Sequence, residues 1–260
     1  GYGIGGAALA TCLSRGIVAL IGLAMIMRSY NVHLFRGPAV RLSRCLVVLR
    51  QGLPVALTIA IYAGVYVGLF ALVIGQLGQD VAAGFGIGFN AFESVSYPFV
   101  LGVAMAGASL VGRNLGAGDQ AGAWQAVHNV RWVGRVVGCS FAMIFIFGGG
   151  WIAPWFTDDP AVLAEALSYV GILGWSQIII SDEVVHEKVL FGAGHPGSIL
   201  WISMFGNVIR IPLGWYFAIH LGYGAPGLWW MINATTVFKA LAFRRIVQQG
   251  KWVRPIGTLS

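Results

Sequence analysis

The sequence predicts an all-α integral membrane protein of about seven transmembrane helices. Three observations carry this. Mean hydropathy is +0.79. Hydrophobic residues make up 58% of the chain and charged residues 10%, against about 25% charged in soluble domains. The remaining charges gather mainly in alternate loops instead of lining helix faces.

Apolar runs and helix breakers place the spans at about 3–27, 50–75, 81–111, 122–149, 161–191, 198–220 and 225–247. Each is long enough to cross roughly 30 Å of hydrocarbon. The first starts at once from Gly1, with no signal peptide, so the chain is expected to be the C-terminal part of a longer protein. Residues 1–28 then read as the last helix of an N-terminal bundle. Residues 29–49 hold Arg36, Arg41, Arg44 and Gly37-Pro38 and read as a basic cytoplasmic linker. Residues 50–247 read as a six-helix C-terminal bundle. The third and fifth spans exceed a bilayer's thickness and are expected to tilt or reach into water.

Loop charges orient the spans. Arg28 to Arg50 follow the first, Asp80 the second, and Arg113, with Arg131 and Arg135 beyond it, the third. Asp158 and Asp159 follow the fourth, Lys188 and His195 the fifth. Gly222-Tyr223-Gly224 is uncharged, and the tail, 248–260, adds Lys251 and Arg254 to Arg244 and Arg245. The alternation puts the basic loops and the C-terminus in the cytoplasm of a cell whose inner or plasma membrane holds the protein. The net charge of +7 follows from topology, with a small anionic-lipid contribution, and no nucleic-acid partner is expected. Trp151, Trp155, Trp229 and Trp230 stand near the outer ends and read as interface anchors.

Gly1-Tyr2-Gly3-Ile4-Gly5-Gly6 and Gly222-Tyr223-Gly224-Ala225-Pro226-Gly227 open the first and last spans. Both spans run from outside to inside, as in a parallel repeat about the membrane normal. The intact protein would then have about twelve spans. These glycines also match G-x-G-x-x-G, but no strand precedes them and no acid follows at the required distance, which excludes a dinucleotide site. Asn233-Ala234-Thr235 lies inside a span, where glycosylation cannot occur. Cys12, Cys45 and Cys139 have no metal-ligand spacing.

Several segments resemble the multidrug and toxic compound extrusion (MATE) transporters. Gly6-Ala7-Ala8-Leu9-Ala10-Thr11 is similar to the start of that family's sixth helix, and Gly52-Leu53-Pro54 to the start of the seventh. Leu110-Val111-Gly112-Arg113-Asn114-Leu115-Gly116-Ala117-Gly118-Asp119 resembles the turn after the eighth, and Phe191-Gly192-Ala193-Gly194-His195-Pro196 the turn after the tenth. Arg210-Ile211-Pro212-Leu213 resembles the middle of the eleventh. Gly227-Leu228-Trp229 and Gly250-Lys251-Trp252 resemble the two ends of the twelfth. The resemblance covers essentially the whole chain. It implies an antiporter that exports organic cations or other amphipathic compounds against inward H⁺ or Na⁺, by alternating access, with no other cofactor. The sequence departs from the family pattern at two acids. A glutamate common in the seventh helix is matched by Tyr62, and the acid of the tenth helix by Ile180, with Asp182 and Glu183 about one turn later.

Those acids belong to Ser181-Asp182-Glu183-Val184-Val185-His186-Glu187-Lys188, five ionisable side chains in eight residues of an apolar run. Ionisable groups inside a membrane are costly and mark ion or proton pathways by default. Glu183 and Glu187 share one helical face, and Asp182 and His186 form the adjacent pair. Glu183, Glu93, Glu187 and Asp182 are therefore the candidate ion- or proton-coupling groups, with Arg210 and Lys239 as charge partners. The alternative is a permanent ion-pair network of Glu183 and Glu187 with Lys239 and Arg210 that fixes packing. Asp182 and His186 are expected to face headgroups or solvent, and Lys188 to snorkel to the interface. Tyr62, Asn90, Gln177 and Asn207, with Tyr66 and Tyr97, are the candidate cavity lining, since aromatic faces suit cationic substrates. Glu183-x-x-His186 is half of a di-iron motif, but no second Glu-x-x-His exists in the chain, so neither a metal site nor an enzyme is expected. Two other readings stay open, a related lipid-linked flippase and a seven-helix receptor or membrane-anchored signalling protein.

Overall fold

The structure, a computed structural model, describes residues 3–30 and 42–253. The chain divides between Val48 and Leu49 into two units. The first holds α1, Gly3–Tyr30, an apolar helix with side chains exposed along most of its length. The central part of the expected linker, the start of the first glycine motif and most of the tail lie outside the described residues. Residues 42–49 of the linker are already helical.

The second unit is a bundle. Helix α2, Leu42–Leu69, enters it and continues through a π turn, Phe70–Ile74. Helix α3 runs over Gln79–Gly116 and is interrupted by a π turn at Gly88–Glu93. Asp119 then caps α4, Gln120–Ile152, by accepting from the Gly122 N–H at 2.8 Å. Asp159 caps α5, Pro160–Gly174, by accepting from the Ala161 N–H, with Pro160 in the first turn, where its missing N–H costs nothing. The fifth predicted span breaks at Trp175-Ser176, so α6 starts anew as Gln177–Gly192. Helix α7 spans Pro196–His220 with a break at Ile209 and a π turn at Tyr216–His220. Helix α8 is Gly224–Gln248. Six stretches, from α1 to α7 with α5 and α6 together, are long and apolar enough to cross a membrane. The seventh, α8, is long enough but carries Lys239, Arg244 and Arg245.

Helix α6 packs against α3, α4 and α8, while α5 packs against the first part of α3, α4 and α8. Helix α7 lies on α8, and the π turn of α2 touches α7. Two apolar cores result. One gathers Leu69, Phe92, Phe145, Tyr169, Leu173 and Trp229. The other gathers Val100, Val127, Val185, Val189, Phe243 and Trp252. On α3, α6, α7 and α8 nearly all the buried polar side chains fall between the two cores. They include Ser96, Gln177, Glu183, Asn207, Arg210, Thr235, Thr236 and Lys239.

Trp151, Trp155 and Trp230 are exposed, whereas Trp229 is fully buried. Trp229 is a core residue and not an interface anchor, because its ring stacks on Phe85 and meets Tyr169 edge-on.

The ends of α3 and α6 meet at Ala108 and Gly192. A Cβ on Gly192 would stand 2.2 Å from the Ala108 carbonyl oxygen, a backbone atom that cannot step aside. Gly192→Ala is expected to destabilise the bundle by about 1–3 kcal/mol, read as a lower thermal-unfolding midpoint in detergent. Gly102→Ala, which meets open space, should leave that midpoint unchanged or slightly raised.

Candidate functional site

The polar layer between the two cores is the candidate site. Glu183 on α6 and Lys239 on α8 form an ion pair with Oε1 2.7 Å from Nζ. Both side chains are buried, at 8% and 6% exposure. The geometry of the pair depends on Gly206 of α7, since any side chain there would collide with the Lys239 methylenes.

Arg210 does not join that pair. It is buried, and its Nε and Nη2 donate to Thr235 Oγ1 at 2.9 Å and Thr236 Oγ1 at 3.0 Å. Both hydroxyls in turn donate to the Ile232 carbonyl. Glu187 is half-buried and paired with its neighbour Lys188. The four-membered network of Glu183, Glu187, Lys239 and Arg210 thus resolves into three separate pairings. Arg210 stays within electrostatic range of Lys239 and Glu93.

Glu93 ends the π turn of α3. An extra residue in a turn rotates everything beyond it relative to an ideal helix, and Glu93 accepts a 2.9 Å hydrogen bond from the Tyr169 hydroxyl. Beside it runs an aromatic wall. Tyr62 and Tyr66 have centroids 4.7 Å apart, Tyr66 meets Phe89 at 5.4 Å, and Phe89 stacks on Phe85 at 5.5 Å. Tyr62 and Asn90 are exposed, with Asn90 donating to the Gly86 carbonyl.

Gln177 and Asn207 are buried inside the bundle. Gln177 Oε1 accepts from Ser96 across the α3–α6 contact at 3.0 Å. Asn207 Oδ1 has no hydrogen-bond partner among the described residues.

His186 differs from the expectation that it faces headgroups or solvent. His186 is fully buried, and its Nδ1 lies 2.6 Å from the Asp182 carbonyl, which can only accept, so that nitrogen carries the proton. Asp182 is mostly buried, 3.4 Å from Arg135 and 3.7 Å from Arg131 on α4. The residue spacing on α6 is right, but the neighbouring helix covers that face. Tyr169, Thr235, Thr236 and Ser96 were not found from sequence. Only their polarity within spans could have signalled them, and nothing local names their partners.

Residues 54–216 match the MatE family. A Thermotoga maritima protein named "Probable multidrug resistance protein NorM" is 28% identical over 96% of the chain, and the chain spans 54% of it. The "Multidrug resistance protein NorM" of Burkholderia vietnamiensis is 30% identical over 70% of the chain, which spans 40% of that protein. The chain thus spans about half the length of these relatives. Among solved structures, one described as the outward-facing conformation of a multidrug resistance MATE family transporter of the MOP superfamily superimposes with a TM-score of 0.72 at 18% identity, covering 82% of this chain and 48% of that one. A MOP superfamily transporter from Pyrococcus furiosus gives a TM-score of 0.72 at 18% identity, covering 77% and 44%. These likenesses show the all-α transporter fold, and the family match bears out the resemblance read from the motifs. With well over half of its length matched, the chain belongs to the MatE family.

Proposed function

We propose that the full-length protein carrying this chain is a secondary active exporter of amphipathic or cationic compounds. In this reading H⁺ or Na⁺ moves inward in exchange, and the two bundles rock around a central cavity. The protein sits in the inner or plasma membrane with its basic loops and C-terminus in the cytoplasm, and the N-terminal bundle completes the cavity.

The buried Glu183–Lys239 pair carries the mechanism. A carboxylate in a low-dielectric layer requires a positive partner. Lys239 supplies it here, and an entering H⁺ or Na⁺ can supply it instead. Exchange of one cation for the other frees Lys239 and removes a tie between α6 and α8. Glu93, held by Tyr169, is the second carboxylate within the layer. The wall from Tyr62 to Phe85 offers π faces to a cationic substrate.

Two experiments test this reading. Lys239→Met leaves Glu183 uncompensated and is expected to cost about 3–5 kcal/mol, measured by thermal unfolding. Glu183→Gln combined with Lys239→Met should recover most of that stability. If the pair only fixes packing, the double variant also recovers transport; if it couples ions, transport stays lost.

The second experiment records efflux of a fluorescent organic cation from everted vesicles under separate H⁺ and Na⁺ gradients. The parent should respond to one gradient, which names the ion, and Glu183→Gln should lose that response while remaining folded. Unchanged efflux in Glu183→Gln would move coupling to Glu93, and Glu93→Gln would then be the variant to fail. No efflux from the parent under either gradient would overturn the exporter reading.

A further inference from the structure

A second face of α6, about 100° round from Glu183, bears another charged group. Asp182 is shared between Arg131 and Arg135 of α4. Arg244 of α8 lines the same groove with Arg135 and Asp182 and has no hydrogen-bond or ion-pair partner among the described residues. His186 is committed to the Asp182 backbone carbonyl and sits 3.5 Å from its carboxylate. Two guanidinium groups therefore share one carboxylate while a third, Arg244, stands in the same groove, and the surplus is positive whichever state His186 holds.

The groove, about 240 Å³, changes character along α6 and α8. Its charged end is Arg135, Asp182 and Arg244. Its other end is apolar, with Ile178 of α6 and Val237 and Leu241 of α8. Both helices place these apolar residues before the charged ones in the chain, and so nearer the end where α5 begins.

Depth fixes the level of the charged end. Trp155, 80% exposed with Trp151 at 81%, marks one interface. Arg135 lies about 30 Å from it along α4 and the turn Ala153–Trp155 that continues it, at about 1.5 Å per residue, which is about the thickness of a hydrocarbon core. Trp132, 66% exposed, accompanies Arg135 at that second level. The guanidinium groups therefore stand where phosphates stand, and the apolar end where acyl chains begin.

We propose that this groove binds an anionic phospholipid. Its phosphate is held by Arg244 and Arg135, and one acyl chain lies along Ile178, Val237 and Leu241. Guanidinium groups recognise phosphate by charge-assisted, often paired hydrogen bonds, and basic pockets between helices at headgroup level suit acidic lipids. A water-soluble phosphate ester meets the same guanidinium groups but leaves the apolar end unused. The occupant is thus the lipid of the leaflet at the basic end of the helices.

The test uses the delipidated full-length protein in detergent and native mass spectrometry. Ligands are phosphatidylglycerol, phosphatidylcholine with the same chains, and glycerol phosphate. Phosphatidylglycerol should bind best, and Arg135→Gln combined with Arg244→Gln should weaken it by about tenfold or more, as two charge-assisted contacts are lost. Arg245→Gln, an exposed cation on the same helix, should not weaken it. Equal binding of phosphatidylcholine, indifference to the double variant, or full competition by glycerol phosphate at matched concentration would each overturn the proposal.

A second measurement needs no variant. Phosphatidylglycerol with a photoreactive acyl chain should label the peptides holding Ile178 and Leu241 in the parent. Labelling confined to other helices overturns the assignment even if the double variant does not fold.

Discussion

A buried charge in a medium that cannot solvate it must find its partner inside the protein. Glu183 and Lys239 meet that condition at 2.7 Å between α6 and α8. Much of the interior is arranged so that they can. Helix α6 packs on α3, α4, α7 and α8, which shields the carboxylate from lipid and water. Gly206 leaves room for the Lys239 stem. Arg210, a second buried cation nearby, spends its donors on Thr235 and Thr236 and does not compete for Glu183.

The layered core follows from the same constraint. Apolar clusters above and below close the bundle, and the polar groups collect between them, where they bond to one another instead of to lipid. A bundle built this way has two apolar cores with a polar layer between them. Buried polar groups are worth most when fully satisfied and cost most when stranded. A change of partner in this layer therefore bears on how α3, α6, α7 and α8 sit together. The π turn in α3 sets the aim of Glu93, and those in α2 and α7 pack into the first apolar core without breaking their spans.

The charged groups on α6 divide by face, and the division sorts their tasks. Glu183 looks into the bundle at Lys239. Asp182, one residue earlier, meets the arginines of α4 on another side. Adjacent residues on a helix point about 100° apart, so one short charged run supplies an interior site and a peripheral groove.

The sequence by itself determined the membrane class, the number and approximate limits of the spans, and the family. These depend on quantities summed along the chain, such as apolar length, alternating loop charge and short turn motifs, which survive without knowledge of packing. It also singled out Glu183 and Lys239, because ionisable residues inside apolar runs stand out without knowledge of packing. The tertiary structure decided which side chains meet. It paired Glu183 with Lys239, turned Arg210 to the threonines, gave Glu93 to Tyr169, buried His186 and Trp229, and split the fifth span at Trp175-Ser176. Those outcomes depend on which helix covers which face and on local π turns that shift register. Both are set by contacts between residues far apart in the chain, and no local pattern encodes them.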